Sequence, residues 1–139
     1  MIVLDTNVIS EFMRPRPSER VGRWLDAQPT PSVWTTSVTV FEIRYGLNLL
    51  PESRRRCGLE QAFDRLLNEI LAGRILDFDA SAARAAADIA ADRKRRGETA
   101  ATQDLQITGI AAARRATLAT RNVKDFVDHR VLVVNPWAG

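Results

Sequence analysis

Ile2-Val3-Leu4 runs straight into Asp5-Thr6-Asn7. Three apolar residues followed at once by an acid, a hydroxyl and an amide describe a buried strand that delivers polar groups at its carboxyl end. Open α/β sheets bind their ligands at that end, so this stretch constrains both the fold and the place where chemistry occurs. The rest of the chain is read for partners to Asp5.

Short β-rich runs alternate with helical periodicity from there on. Thr6 to Met13 is a predicted helix with Val8, Ile9 and Phe12 on one face, stopped by Pro15 and Pro17. Ser18 caps a second helix carrying Val21, Trp24 and Leu25, which Pro29 and Pro31 end. Val33 to Thr36 reads as strand two, with Ser37 as cap for a helix from Val38 to about Leu50. After Pro51 a helix of roughly twenty residues carries Leu59, Phe63, Leu66, Leu67, Ile70 and Leu71 and ends at Gly73. The Arg54-Arg55-Arg56 triplet ahead of it reads as a solvated turn.

Ile75 to Phe78 is a third strand, and Asp79 or Ser81 caps an Ala-rich helix. That helix ends in Arg93-Lys94-Arg95-Arg96-Gly97, where four cations sit at the negative end of the helix dipole ahead of a glycine cap. Thr102 to Arg115 is helical again, Thr117 to Thr120 is strand four, Arg121 to Phe126 is a turn with a short helix, and Val131 to Val134 is strand five. The alternation is that of βαβ units: one α/β domain over residues 1–139, with a mostly parallel five-stranded sheet covered on both faces.

A chain of 139 residues buries one sizeable core and is too short for two ordinary domains. Its formal charge is only +3, a weak footprint for a nucleic-acid binder, yet Lys94 and Lys124 are the only lysines among 20 basic residues. Arginine pairs bidentately with phosphate, which suits a nucleic-acid partner, and a GC-rich genome accounts for the bias equally well. Cys57 is the only cysteine, so no intrachain disulfide forms and a reducing cytoplasm is the simpler setting. The first strand leaves no room for a leader, and no apolar run approaches the ~20 residues of a membrane span.

Placed on this plan, the acids converge. Asp5 ends strand one, Glu42 lies one turn into the helix after strand two, and Asn122 and Asp125 follow strand four. Glu42 shares a helical face with Val38, Tyr45 and Leu49, and a carboxylate on an apolar face needs a cation or a donor. Asp104 sits in the first turn of the helix before strand four, where an acid is also favoured simply by the helix dipole. That helix is expected to begin at the opposite edge of the sheet, which makes Asp104 the weakest geometric link.

Carboxylates brought together raise one another's pKa, so such a cluster is unfavourable without a cation. Oxygen donors select Mg²⁺ or Mn²⁺, and there is no His/Cys set to suggest zinc. His129, the only histidine, reads as an exposed loop residue, which argues against a Ser-His or Cys-His nucleophile. The chemistry that fits is metal-assisted phosphodiester hydrolysis of RNA. Thr6, Asn7 and Thr120 are candidates to hold the attacking water or a phosphate oxygen, and Arg14, Arg16, Arg44 and Arg121 to contact the substrate backbone.

The chain resembles the PIN-domain ribonucleases, in particular the toxin half of bacterial VapBC and FitAB toxin–antitoxin pairs. The likeness rests on Ile2 to Glu11, Thr39 to Gly46, Gly73 to Leu76, Asp104 with Ile107, Thr120-Arg121-Asn122 with Asp125-Phe126, and Asn135-Pro136-Trp137. It implies an α/β/α sandwich and an Mg²⁺ or Mn²⁺ site with Asp5, Glu42 and Asp104 as metal-site acids, Asp5 and Asp104 foremost as direct ligands. It implies endoribonuclease activity, a homodimer, and a small VapB/FitA-like antitoxin that blocks the site and carries the promoter-DNA contact.

Two positions depart from the pattern. The fourth acid of many members falls on Asn122, so its role passes to Asp125 or is dispensable. The usual pair of alanines after Ile107 is Thr108-Gly109, and a helical glycine costs about 1 kcal/mol relative to alanine. Two rival readings follow: an inactive PIN domain that binds RNA or an antitoxin, and an aspartyl-phosphate phosphatase or receiver. Against the second, Thr6-Asn7 supplies no acid two residues after Asp5, and no acid pair accompanies the first strand.

Overall fold

The computed structural model describes residues 1–138. Five strands, β1 (Ile2–Leu4), β2 (Val33–Thr36), β3 (Ile75–Leu76), β4 (Thr117–Ala119) and β5 (Leu132–Val134), form one sheet in the order β3-β2-β1-β4-β5. Every strand pair is parallel, so the sheet is wholly rather than mostly parallel. β1 holds the centre. Its residues alternate between two cores: Leu4 joins Val33 and Ala119 on one face, and Val3 joins Leu76 and Leu118 on the other.

Six α-helices cover those faces: α1 (Thr6–Met13), α2 (Glu19–Asp26), α3 (Ser37–Leu49), α4 (Arg54–Arg65), α5 (Ala80–Arg95) and α6 (Thr102–Ala113). Val8, Ile9, Val21, Ile43, Leu47 and Phe63 bring α1 to α4 onto the first core, while Ala82, Ile107, Ile110 and Ala111 bring α5 and α6 onto the second. The result is the α/β/α sandwich the sequence implies. Local signals place most boundaries: Ser18 caps α2 through the Val21 N–H, and Asp79 caps α5 through the Ala82 N–H at 2.9 Å. The cap of α3 is Thr36 rather than Ser37, its hydroxyl accepting from the Thr39 N–H at 3.1 Å.

Three details correct the sequence reading. The long helix after Pro51 loosens into a π-helical turn over Leu66–Ile70 before Ala72 and Gly73 close it with positive φ, so the apolar stripe does not stay in register and Ile70 is exposed. The cations ending α5 do not all serve the helix dipole: Gly97 and Glu98 N–H close the helix on the carbonyls of Lys94 and Arg93, as a glycine cap should, but the Arg93 side chain is buried and donates to the Val127 carbonyl at 3.4 Å. The helical glycine is required where it stands. A Cβ on Gly109 would lie 2.5 Å from the Ala82 carbonyl oxygen and 2.6 Å from the Ala86 Cβ, so α5 and α6 reach their separation only because position 109 has no side chain.

Candidate active site

Asp5 is both the residue after β1 and the N-cap of α1. One carboxylate oxygen accepts the Thr6 N–H at 2.7 Å, and the other accepts the Thr120 hydroxyl at 2.7 Å from the end of β4. Thr120 is fully buried and in turn accepts from Asn7 Nδ2 at 3.3 Å and from the Asn122 N–H at 3.1 Å. Asn7 Oδ1 accepts the Arg121 N–H at 3.3 Å. The polar ends of β1 and β4 are therefore one hydrogen-bonded unit.

Glu42 reaches this unit from α3. The Thr6 hydroxyl donates to Glu42 Oε1 at 2.9 Å and lies 3.1 Å from the Thr39 hydroxyl. The face that carries Glu42 is not the buried one, because Tyr45 and Leu49 are 51% and 70% exposed while Thr39, Ile43 and Leu47 face inward. Glu42 sits at the seam between the two faces, and Thr6 is the donor its position called for.

Asp104 lines the same cleft. The sheet accounts for it once direction is followed: α6 ends just before the amino end of β4, so it runs antiparallel to that strand and starts at the carboxyl edge. The expectation of an opposite-edge start is wrong for a helix that leads back into a parallel strand. Thr108, one turn on, ties its hydroxyl to the Asp104 carbonyl at 2.6 Å.

The cleft encloses about 530 Å³ and is lined by Asp5, Thr6, Asn7, Ser10, Glu11, Arg14, Glu42, Asp104, Arg121, Asn122 and Trp137. Burial pushes Asp5 up from an ordinary 3.8 to about 6, with Asp104 and Glu42 adding to the rise and the Thr120 and Thr6 hydrogen bonds opposing it. Asp104 is raised as well, first by burial, then by Asp125 and Glu42, with buried Arg93 pulling it back. In both cases burial dominates and the neighbouring carboxylates add to it.

Other expected residues fall elsewhere. Arg44 is turned away and paired with Glu60 at 3.0 Å and with Asn48 at 2.9 Å, so it is not at the cleft. Arg16 is exposed beyond the end of α1 and does not line it. Asp125 is exposed on the turn Val123–Phe126, near enough to act on Asp104 electrostatically but outside the lining. Arg14 lines the rim while pairing with Glu11 at 3.2 Å. Sequence reasoning missed Ser10, Glu11 and Trp137 as lining residues. The spacing of Glu11 and Arg14 was a usable signal for Glu11; nothing local announces Trp137.

Among the described residues no three His, Cys, Asp or Glu side chains converge as a ready ligand cage. Mg²⁺ is commonly held through one or two carboxylates with waters completing its shell. Asp5, Asp104 and Glu42 line one cleft as hard oxygen donors, so their chemistry fits such an ion.

An all-parallel α/β sandwich with carboxylates gathered at the carboxyl edge of its central strands defines the class: an acid-cleft α/β protein. The PIN domain family profile matches residues 2–130, and the chain belongs to that family. It is 39% identical over 137 residues to Toxin FitB of Neisseria gonorrhoeae, covering 99% of each chain. It is 37% identical over 137 residues to VapC ribonuclease Y4jK of Sinorhizobium fredii, covering 99% of this chain and 98% of that protein. The solved structure of FitAB bound to the IR36 DNA fragment superposes with a TM-score of 0.88 at 39% identity, covering 99% of this chain and 96% of that one.

Proposed function

We propose that this protein is a divalent-metal-dependent endoribonuclease, the toxin component of a toxin–antitoxin pair. The observation that carries the reading is the meeting of Asp5, Glu42 and Asp104 in one cleft at the carboxyl edge of β1 and β4. Full-length similarity to a ribonuclease and to a toxin supports it.

Asp5 and Asp104, with Glu42 beside them, would hold Mg²⁺ or Mn²⁺. When bound, the ion supplies Lewis-acid stabilisation of charge developing on the phosphoryl group. The chain's own residues do the remaining work. Thr120 and the Thr6 N–H fix both oxygens of Asp5, so the carboxylate does not reorganise during the reaction. The Thr6 hydroxyl orients Glu42, leaving Oε2 free to accept a proton from the attacking water. Arg14 at the rim holds a phosphate flanking the scissile one, Arg121 contacts the substrate from the other side of the cleft, and Asn7 and Asn122 offer polar contacts to the chain between them.

A small VapB/FitA-like antitoxin blocks the cleft and carries the promoter-DNA contact, as the similarity to a DNA-bound FitAB assembly supports. The protein works in the cytoplasm as a homodimer. No helix among the described residues is long and apolar enough to cross a membrane.

One observation favours a second reading. Asn122 lines the cleft where an acid is common in the family, and it carries no charge, as a catalytically inactive RNA- or antitoxin-binding module would allow. Incubating purified protein with single-stranded RNA separates the two. Cleavage that needs Mg²⁺ or Mn²⁺, stops with EDTA, and is lost in Asp5→Asn and Asp104→Asn variants that remain folded supports the enzyme. RNA binding without cleavage at any metal concentration supports the module.

A further inference from the structure

Trp137 has no role in hydrolysis, yet it stands on the wall of the acid cleft. A tryptophan that only filled space would be enclosed. This one is partly buried, packed from behind on the first core and open to the cleft in front. Its backbone is pinned: its N–H donates to Asn135 Oδ1 at 2.9 Å, its carbonyl accepts from Arg20 Nη1 at 3.1 Å, and the Ala138 N–H closes the turn on the Asn135 carbonyl at 3.1 Å. The Arg121 guanidinium lies over its indole ring, 5.0 Å from the centroid. Arg121 is held in turn, its N–H bonded to Asn7 beside Asp5.

Among the described lining residues Trp137 is the one aromatic group; the others are acids, hydroxyls, amides and arginines. Acids and arginines address phosphate and metal, and they leave nothing for the apolar face of a base. Unpaired bases are held by stacking on aromatic rings and on arginine planes, a contact a duplex does not offer because its bases are already stacked. With one side of the indole on the core and the Arg121 guanidinium over the ring, a base stacks on the outer face of the guanidinium plane, which the pinned indole backs, so little freedom is lost when it lands.

We propose that Trp137 and Arg121 form a stacking shelf that takes one unpaired nucleobase beside the scissile phosphate, making Trp137 a substrate-specificity residue. The inference rests on the ribonuclease reading and names the part of the substrate that reading leaves open. The shelf requires the RNA to be single-stranded at one defined position. It also sets the register: the phosphate presented to Asp5 and Asp104 is the one next to the stacked base.

The test uses single-stranded RNA in which the base at each position around the cut is replaced in turn by an abasic site. For the wild type, one abasic position raises KM about tenfold, the size expected of one base–aromatic stack, with kcat changed far less. Trp137→Leu, which keeps bulk without a π face, gives a similar rise on intact RNA and no further rise on that abasic substrate. Trp137→Phe restores most of the loss. Thermal melting of both variants checks that the fold is kept.

Penalties that multiply, so that Trp137→Leu suffers from every abasic site as the wild type does, overturn the shelf, as does unchanged cleavage by Trp137→Leu. Variants that cleave normally but escape the antitoxin would assign the surface to the protein partner and also overturn it. Binding of the same RNAs to the Asp104→Asn variant with Mg²⁺ separates the two readings. Position-specific loss of binding without any wild-type cleavage sinks the ribonuclease and leaves the shelf standing; binding insensitive to every abasic site sinks the shelf.

Discussion

The Thr120 hydroxyl donates to Asp5 Oδ2 at 2.7 Å, so the end of β4 holds the carboxylate that ends β1. Thr120 also accepts from Asn7 and from the Asn122 N–H, which leaves its proton one acceptor, Asp5. Thr120→Val removes that bond at nearly constant volume. Groups that orient ligating carboxylates carry about 10–100-fold in metal affinity or activity when lost. The Mg²⁺ concentration for half-maximal RNA cleavage is expected to rise by that order, with Thr120→Ser close to wild type. An unchanged Mg²⁺ dependence in Thr120→Val would remove Thr120 from the site.

Asp5 makes stability depend on pH in a direction opposite to most acids. Its folded value of about 6 lies above the ordinary 3.8, so the metal-free fold retains a proton that the unfolded chain releases. The contribution is full below about pH 4 and is lost as pH rises through about 6, on the order of 3 kcal/mol in all. Urea unfolding in EDTA at pH 4.5 and pH 8 checks this: Asp5→Asn, which keeps the helix cap, is expected to flatten the fall and to be the more stable protein at pH 8. Added Mg²⁺ is expected to restore wild-type stability at pH 8 on the metal-site reading, which has the ion bind the ionised site. Equal slopes for wild type and Asp5→Asn would refute the assignment.

Gly109→Ala, favourable on helix propensity alone, is expected to destabilise. The new methyl would meet the backbone of Ala82 and Ala86 at 2.5 to 2.9 Å, contacts that no side-chain rotation relieves. Overpacking of this kind costs about 1–3 kcal/mol. A lower denaturant midpoint at unchanged m-value reads it out. A midpoint at or above that of the wild type would mean that α5 and α6 separate freely.

The proposed homodimer has a physical candidate for its contact. Phe41, Tyr45 and Leu49 stand on one exposed line of α3, with the Phe41 and Tyr45 rings parallel within 2° at 6.1 Å. Apolar ladders of this kind mark association surfaces. Phe41→Glu combined with Tyr45→Glu is expected to convert a dimer to a folded monomer in sedimentation equilibrium. A wild type that is monomeric at every concentration, or a variant that stays dimeric, counts against this surface.

Local chemistry explains what could be read in advance. β1, the caps at Ser18 and Asp79, and the meeting of Asp5 and Glu42 follow from periodicity, capping residues and the polarity of a parallel sheet, whereas Asp104 was placed at the site only by the family resemblance. The misreadings are tertiary. Arg44 was open to a substrate role until the packing of α3 beside α4 delivered Glu60 to it. Gly109 looked costly because the approach of Ala82 is invisible from α6 alone. Trp137 reaches the cleft only because the chain returns to the edge of the sheet beside Asp5 after β5.

The bond between Asp5 and Thr120 spans 115 positions. During synthesis β1 leaves the ribosome early and waits, with its β4 edge uncovered, until most of the domain has followed. No nascent chain short of Thr120 can hold Asp5 in its working position, and the Trp137 wall arrives later still. On the ribonuclease reading, the cleft is therefore incomplete while its own messenger is being translated.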